Sequence, residues 1–137
     1  MIDQLFVLAL MWMHALAPGR DVDALAWAVA VNAHSPAEAA KLTAVAFRES
    51  GLDNAAVGDH GKSVCAMQIL GGSRALIEDP IACVRRGAVM LRESERIDPS
   101  NPIAFYARGP RYESETAKRI SRDRMAIAAR LMRMVTP

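Results

Sequence analysis

AFRESGLDNAAVGDHGKSVCAMQI, residues 46–69, decides the reading of this chain. It places one carboxylate, Glu49, at the end of an apolar helical run and follows it at once with a Gly-rich loop. An apolar helix end strips water from a carboxyl group and raises its pKa, so the group still holds a proton near neutral pH and can pass it to a leaving oxygen. The loop after Gly51 is rich in Gly, Asn and Asp and longer than a simple connection needs, which points to the floor of a cleft.

The helix leading to Glu49 has the clearest start signal in the chain. Ser35-Pro36-Ala37-Glu38 combines a capping serine, proline at the first helical position and glutamate at the third. The helix carries Leu42, Val45 and Ala46 on one apolar face, and Gly51 ends it. Upstream, a first helix is expected from Asp3 to Leu16, stopped by Pro18-Gly19, and a second from a capping Asp21 to about Asn32. Downstream, residues 52–64 read as an irregular loop and residues 67–77 as a short helix broken at Gly71-Gly72. Asp79-Pro80 restarts a helix to about Arg96, and a turn covers residues 98–102. A last helix spans about Glu113 to Met134, with Ile120, Ile127, Leu131 and Met134 inside and its arginines outside.

The chain has 137 residues, of which 52% are hydrophobic and only 5% aromatic, with eight methionines. One domain is the default at this length. The composition favours close helix packing over a strand-rich sandwich, giving an all-α class. Within residues 1–137 the N-terminal helices occupy about 1–34 and the core of the fold about 35–137. Met11, Met13, Met125, Met132 and Met134 read as core filling, and Trp12 and Trp27 as structural. A formal net charge of +2 makes no electrostatic case for nucleic acid. The three histidines are dispersed and neither cysteine has a CxxC partner, so no metal site is expected. Residues 6–17 have the length of a signal-peptide core, but Asp3 precedes them without any Lys or Arg, and Pro18 follows. They read as a buried first helix, too short to span a bilayer.

Four blocks, in order, resemble the lysozyme-like superfamily, in its lytic transglycosylase and goose-type lysozyme branch. Glu49-Ser50-Gly51 matches the Glu-Ser pair that carries the catalytic acid there. Gly58-Asp59-His60-Gly61, leading into Ala66-Met67-Gln68-Ile69, is similar to the GDxG and GxMQ segments. DPIACVRRGAVML, residues 79–91, resembles a helix that reads DPxxNIxxGAxYL. Tyr106-Ala107-Arg108-Gly109-Pro110 resembles Tyr-Asn-Ala-Gly-Pro. Two departures bear on substrate affinity: Cys65-Ala66 displaces the glycine before Met-Gln, and Ala107 stands where the asparagine is expected.

The resemblance implies a lysozyme-like helical fold with a long active-site loop, acting without a cofactor on the β-1,4 bond between N-acetylmuramic acid and N-acetylglucosamine in peptidoglycan glycan strands. Glu49 would be the acid and later the base. Asp59 would help a water attack, as in goose-type enzymes, or only shape the loop as an Asx-turn residue. Tyr106 would tune the Glu49 proton or serve as a core tyrosine with its hydroxyl satisfied. Ser50 would support Glu49 or simply end the helix. Gln68 and the backbone around Met67 would contact an N-acetyl group or sugar hydroxyl, or Gln68 would be a buried amide tying the loop to the core; Tyr112 is a weaker candidate for lining the groove, and Arg108 and Arg111 would meet peptide-stem carboxylates or solvate a face. His60 is expected to be exposed, and Glu78, Glu93 and Glu95 lie at surface positions. Cys65 and Cys83 form one disulfide in an exported protein or stay two buried thiols in a cytosolic one. The setting implied is the periplasm and cell wall, or a phage virion or secretion apparatus as partner. A different class stays open: a non-catalytic wall-binding or structural module of a phage tail or secretion apparatus.

Overall fold

The computed structural model describes residues 1–134. Its centre is α3, Pro36–Ser50. The Ser35 hydroxyl accepts a hydrogen bond from the Glu38 N–H at 3.1 Å, and Pro36 fills the first helical position, so the helix starts where the sequence places it. Glu38 completes the cap one residue further back, accepting from the His34 N–H at 3.0 Å. Ala39, Ala40, Leu42, Thr43, Ala44, Val45 and Ala46 are all buried. That run of small side chains lets four helices pack against α3: α1 (Ile2–Leu16), α2 (Asp23–Asn32), α4 (Pro80–Ile97) and α6 (Glu115–Arg133). Gly51 ends α3 in the left-handed region, with φ 66°.

The remaining helix among the described residues is α5, Ala104–Arg108, a single short turn that the sequence reading did not anticipate. Buried residues from Leu5 in α1 to Leu131 in α6 form one continuous cluster, so the chain is one predominantly helical packing unit. No helix among the described residues is long and apolar enough to cross a membrane.

Several expectations need correction. Asp21 does not cap α2: the helix begins two residues later, and the Asp21 carboxylate accepts instead from the Asp23 N–H, a local bond of the kind short acidic side chains prefer. α6 starts at Glu115 because Ser114 supplies the cap, accepting from the Ala117 N–H at 3.1 Å. Met134, Met11 and Met132 are exposed, so of the methionines read as core filling Met13 is fully buried and Met125 packs at the edge of the core. Trp12 is buried, whereas Trp27 is 40% exposed and meets Phe6 edge-on at 5.5 Å.

The largest correction lies in residues 52–77. Residues 57–70, expected as loop and the start of a broken helix, form a small antiparallel sheet of three two-residue strands, β1 (Val57–Gly58), β2 (Ser63–Val64) and β3 (Ile69–Leu70), and the helical backbone expected over 67–77 appears only after Gly71-Gly72. Val57 pairs with Val64, and Val64 with Ile69. Both reversals are made by left-handed backbone: Asp59 and His60 (φ 52° and 57°) before β2, and Cys65 and Gln68 (φ 67° and 51°) before β3. A left-handed residue at 68 is incompatible with a helix starting there. A short 3-10 turn at Arg74–Glu78 leads into α4, where the Asp79 carboxylate accepts from the Ala82 N–H at 3.0 Å.

Candidate active site

α3 delivers Glu49 at its last turn, the sheet delivers Asp59, Ser63 and Gln68, and α5 delivers Tyr106 and Arg108; all six line one cleft of about 510 Å³. Glu49 is partly buried, its side chain 23% exposed. Burial pushes its pKa above the ordinary carboxylate value, and the negative charge of Asp59 adds to the rise. Two cations work against this: Arg124, which approaches Glu49 Oε1 with Nη2 at 3.4 Å, and Arg108. Burial wins.

Asp59 lies on the exposed side of the cleft, and its Oδ2 accepts from the Ser63 hydroxyl at 2.5 Å. That bond fixes the carboxylate across the β1–β2 turn. Gln68 is fixed by its amide: Nε2 donates to the carbonyls of Cys65 at 2.9 Å and Ala56 at 3.3 Å. Its Oε1 sits where a Cβ on Gly58 would approach to 2.5 Å, so glycine at 58 makes room for this amide. Among the described hydrogen bonds Oε1 has no protein donor, leaving a free acceptor on the cleft wall.

Tyr106 reaches into the loop beside the acid. Its hydroxyl donates to the Met67 carbonyl at 2.7 Å. Burial, and next the charge on Glu49, hold its pKa far above the ordinary tyrosine value, so it stays a neutral donor. Met67 itself is fully buried and touches Gly87 of α4, where a Cβ would meet the Met67 side chain at 2.5 to 3.0 Å. Its contribution to the site is the backbone that Tyr106 grips.

Cys65 and Cys83 are joined in a disulfide, and the Met67 N–H points to Cys83 Sγ at 3.5 Å. Asn54 ties the other side of the loop, donating to the carbonyls of Leu76 and Ile77 and accepting from the Ala66 N–H.

Of the other polar side chains singled out by sequence, Arg111 alone lines the cleft, beside Arg108. The Ser50 hydroxyl donates to the Ala46 carbonyl and accepts from the Asp53 N–H, closing the helix end. Tyr112 stacks obliquely on Phe105 at 5.9 Å, behind the lining of the cleft. His60, Glu78 and Glu93 are exposed, and Glu95 pairs with Lys41 at 2.7 Å. Among the described residues, no three His, Cys, Asp or Glu side chains gather as metal ligands.

Arg124 is the residue that sequence reasoning missed. The arginines of α6 were expected outside, yet Arg124 is only 13% exposed and pairs with Glu49 from 75 positions away. The only signal in the sequence is its spacing from Ala117, Ser121 and Ala128, which places it near the buried edge of α6.

A carboxyl of raised proton affinity, a second carboxylate, a free amide oxygen and guanidinium groups in one groove are groups suited to acid–base chemistry. Comparison of the chain with models of protein families, with curated proteins and with solved structures gave no match.

Proposed function

We propose that the protein is a lysozyme-like muramidase that cleaves the β-1,4 bond between N-acetylmuramic acid and N-acetylglucosamine in peptidoglycan. The observation that carries this reading is Glu49: a carboxyl at an apolar helix end, with raised proton affinity, sharing a cleft with Asp59. Glycoside cleavage needs such a proton donor for the leaving oxygen, together with stabilisation or capture of the oxocarbenium-like centre.

Glu49 protonates the glycosidic oxygen. The electron-deficient carbon is then captured in one of two ways. The muramyl 6-hydroxyl closes an anhydro ring and Glu49, now a base, takes its proton. Alternatively, Asp59 orients a water on the opposite face and the product has a reducing end. The free Oε1 of Gln68 accepts from an N-acetyl N–H or a sugar hydroxyl, and Arg108 and Arg111 face the carboxylates of the peptide stems. The chemistry uses no cofactor, and the cell wall, a phage virion or a secretion apparatus is the setting in which such an enzyme works.

A second reading is favoured by one specific contact. Arg124 at 3.4 Å from Glu49 makes an ion pair beside the cleft, which suits a structural carboxylate in a wall-binding module of a phage tail or secretion apparatus. The two readings separate in one experiment, mass spectrometry of fragments released from purified sacculi by the wild type and by Glu49→Gln. Anhydromuramyl ends from the wild type, reduced at least about 100-fold in the variant, support a lytic transglycosylase. Reducing ends lost in the same way support a hydrolase. Retention on sacculi with no release by folded, disulfide-bonded wild type overturns the muramidase reading in favour of the binding module.

A further inference from the structure

On the reading of Glu49 as the proton donor, we propose that Arg124 is its positioning residue: it holds Oε1, so that the transferable proton sits on Oε2.

The geometry starts from two neighbours on α3 meeting two neighbours on α6. Arg48 makes a two-point contact with Asp123, its Nε and Nη2 at 2.9 and 3.1 Å from the two carboxylate oxygens. The next residue on each helix reverses the polarity: Glu49 on α3 accepts from Arg124 on α6 at 3.4 Å. Asp123 also lies 3.7 Å from Nη1 of Arg124, so the fork that reaches Glu49 is braced from behind by a carboxylate that Arg48 already fixes. Arg124 Nε is buried without a hydrogen-bond partner. The side chain's polar contacts are made by the two Nη atoms, which face Glu49 and Asp123.

A guanidinium has donors and no acceptor, so the oxygen it faces must offer a lone pair. When the Glu49 carboxyl is protonated, the hydrogen therefore belongs on Oε2, which has no protein partner among the described hydrogen bonds. When the proton leaves for the glycosidic oxygen, the pair of electrons remains on a carboxylate already facing a cation. Burial keeps the proton on, and Arg124 makes it easier to release. The other groups facing Glu49 are Asp59 from the β1–β2 turn, which strengthens its hold on the proton, Arg108 from α5, which weakens it, and the neutral hydroxyl of Tyr106.

The test is carbon-13 NMR titration of the Glu49 carboxyl in the disulfide-bonded wild type, in Arg124→Met and in a second neutral variant, Arg124→Gln, with the pH profile of sacculus solubilisation recorded alongside. Loss of the cation raises the Glu49 midpoint by about 1 unit, the low end of what an opposite charge in contact does to a carboxylate. The alkaline limb of the activity profile moves up with it, because the active form is the protonated acid, and the plateau rate falls. A purely structural ion pair would lower the melting temperature of both variants and raise the midpoint through the same charge effect, but would leave the plateau rate per folded molecule unchanged, so an unchanged plateau also overturns the proposal. An unmoved midpoint in either folded variant overturns the proposal. Because the titration needs no turnover, wild-type protein that releases no fragments would overturn the muramidase reading while the midpoint still decides what Arg124 does to Glu49.

Discussion

Gly87→Ala should destabilise the protein and loosen the cleft together, and the size of the effect follows from the packing. In an exposed helix, alanine in place of glycine stabilises by about 1 kcal/mol. At position 87 the new methyl would lie 2.5 Å from Met67 Cε, 2.8 Å from Cγ and 3.0 Å from Cβ. The Cε contact is with the end of a flexible chain and is relieved cheaply. The Cβ contact is not, because Met67 is fully buried and its backbone is held on both sides, by Tyr106 on its carbonyl and Cys83 Sγ at its N–H. Overpacking of this kind costs about 2 to 3 kcal/mol, the upper part of its usual range. Net of the helix gain, about 1 to 2 kcal/mol is lost. With a urea slope near 2 kcal/mol/M, the unfolding midpoint falls by about 0.5 to 1 M. In a Met67→Ala background the Cε and Cγ contacts are gone and only the 3.0 Å Cβ contact remains, so the same Gly87→Ala change should cost clearly less than in the wild-type background. A midpoint that rises in the wild-type background, or an equal effect in both backgrounds, would refute the close contact of loop and helix.

Three further outcomes are expected. The folded protein binds the Glu49 proton more tightly than the unfolded chain, so this group's contribution to stability declines as pH rises from 4.5 through its raised folded value; Glu49→Gln should therefore gain melting temperature relative to wild type at pH 7 compared with pH 4, and a pH-independent difference would contradict the raised pKa. Glu38 has the opposite sign: burial raises its pKa, but the Arg92 hydrogen bond, the His34 N–H and their charges outweigh it, so the folded value lies below 4.5 and the stabilisation vanishes as pH falls through it. Acid titrations followed by circular dichroism should show a shallower loss for Glu38→Gln, and parallel curves would count against the pairing with Arg92. Finally, replacing both Cys65 and Cys83 by alanine opens a link between positions 18 apart, which by loop entropy costs about 3 kcal/mol in urea titrations; a double variant as stable as oxidised wild type would speak against the bond.

The parts of the fold legible in the sequence are those decided within a few residues. Ser35-Pro36 and Asp79-Pro80 start helices because cap and first turn are local, and Gly51 ends α3 because left-handed backbone suits glycine. The three strands were invisible, since two-residue strands carry no alternation to detect and their turns rest on non-glycine residues forced into left-handed backbone. α5 was missed because five residues show no helical period. At the cleft, the motif residues Glu49, Asp59, Gln68 and Tyr106 do come together. Arg124 did not stand out, because an arginine on a long amphipathic helix reads as solvated and its partner lies on another helix. The exposed Met11 and Met132 show the converse limit, that helical spacing identifies a face without fixing its edges.

Leu52, Asp59, His60, Cys65 and Gln68, all non-glycine, have positive φ, each at a cost of about 1 kcal/mol or more, so the 52–68 segment carries strain comparable with the net stability of a whole small domain. Such a segment does not hold its own shape; the helices impose it. Opening it releases strain that melting a helix does not, which offsets part of the cost of exposing its buried residues Val64 to Met67. On warming, amide protons of residues 52–70 should exchange with solvent well before those of α3. Any activity seated in the cleft would then fade at temperatures where the far-ultraviolet helical signal is still intact.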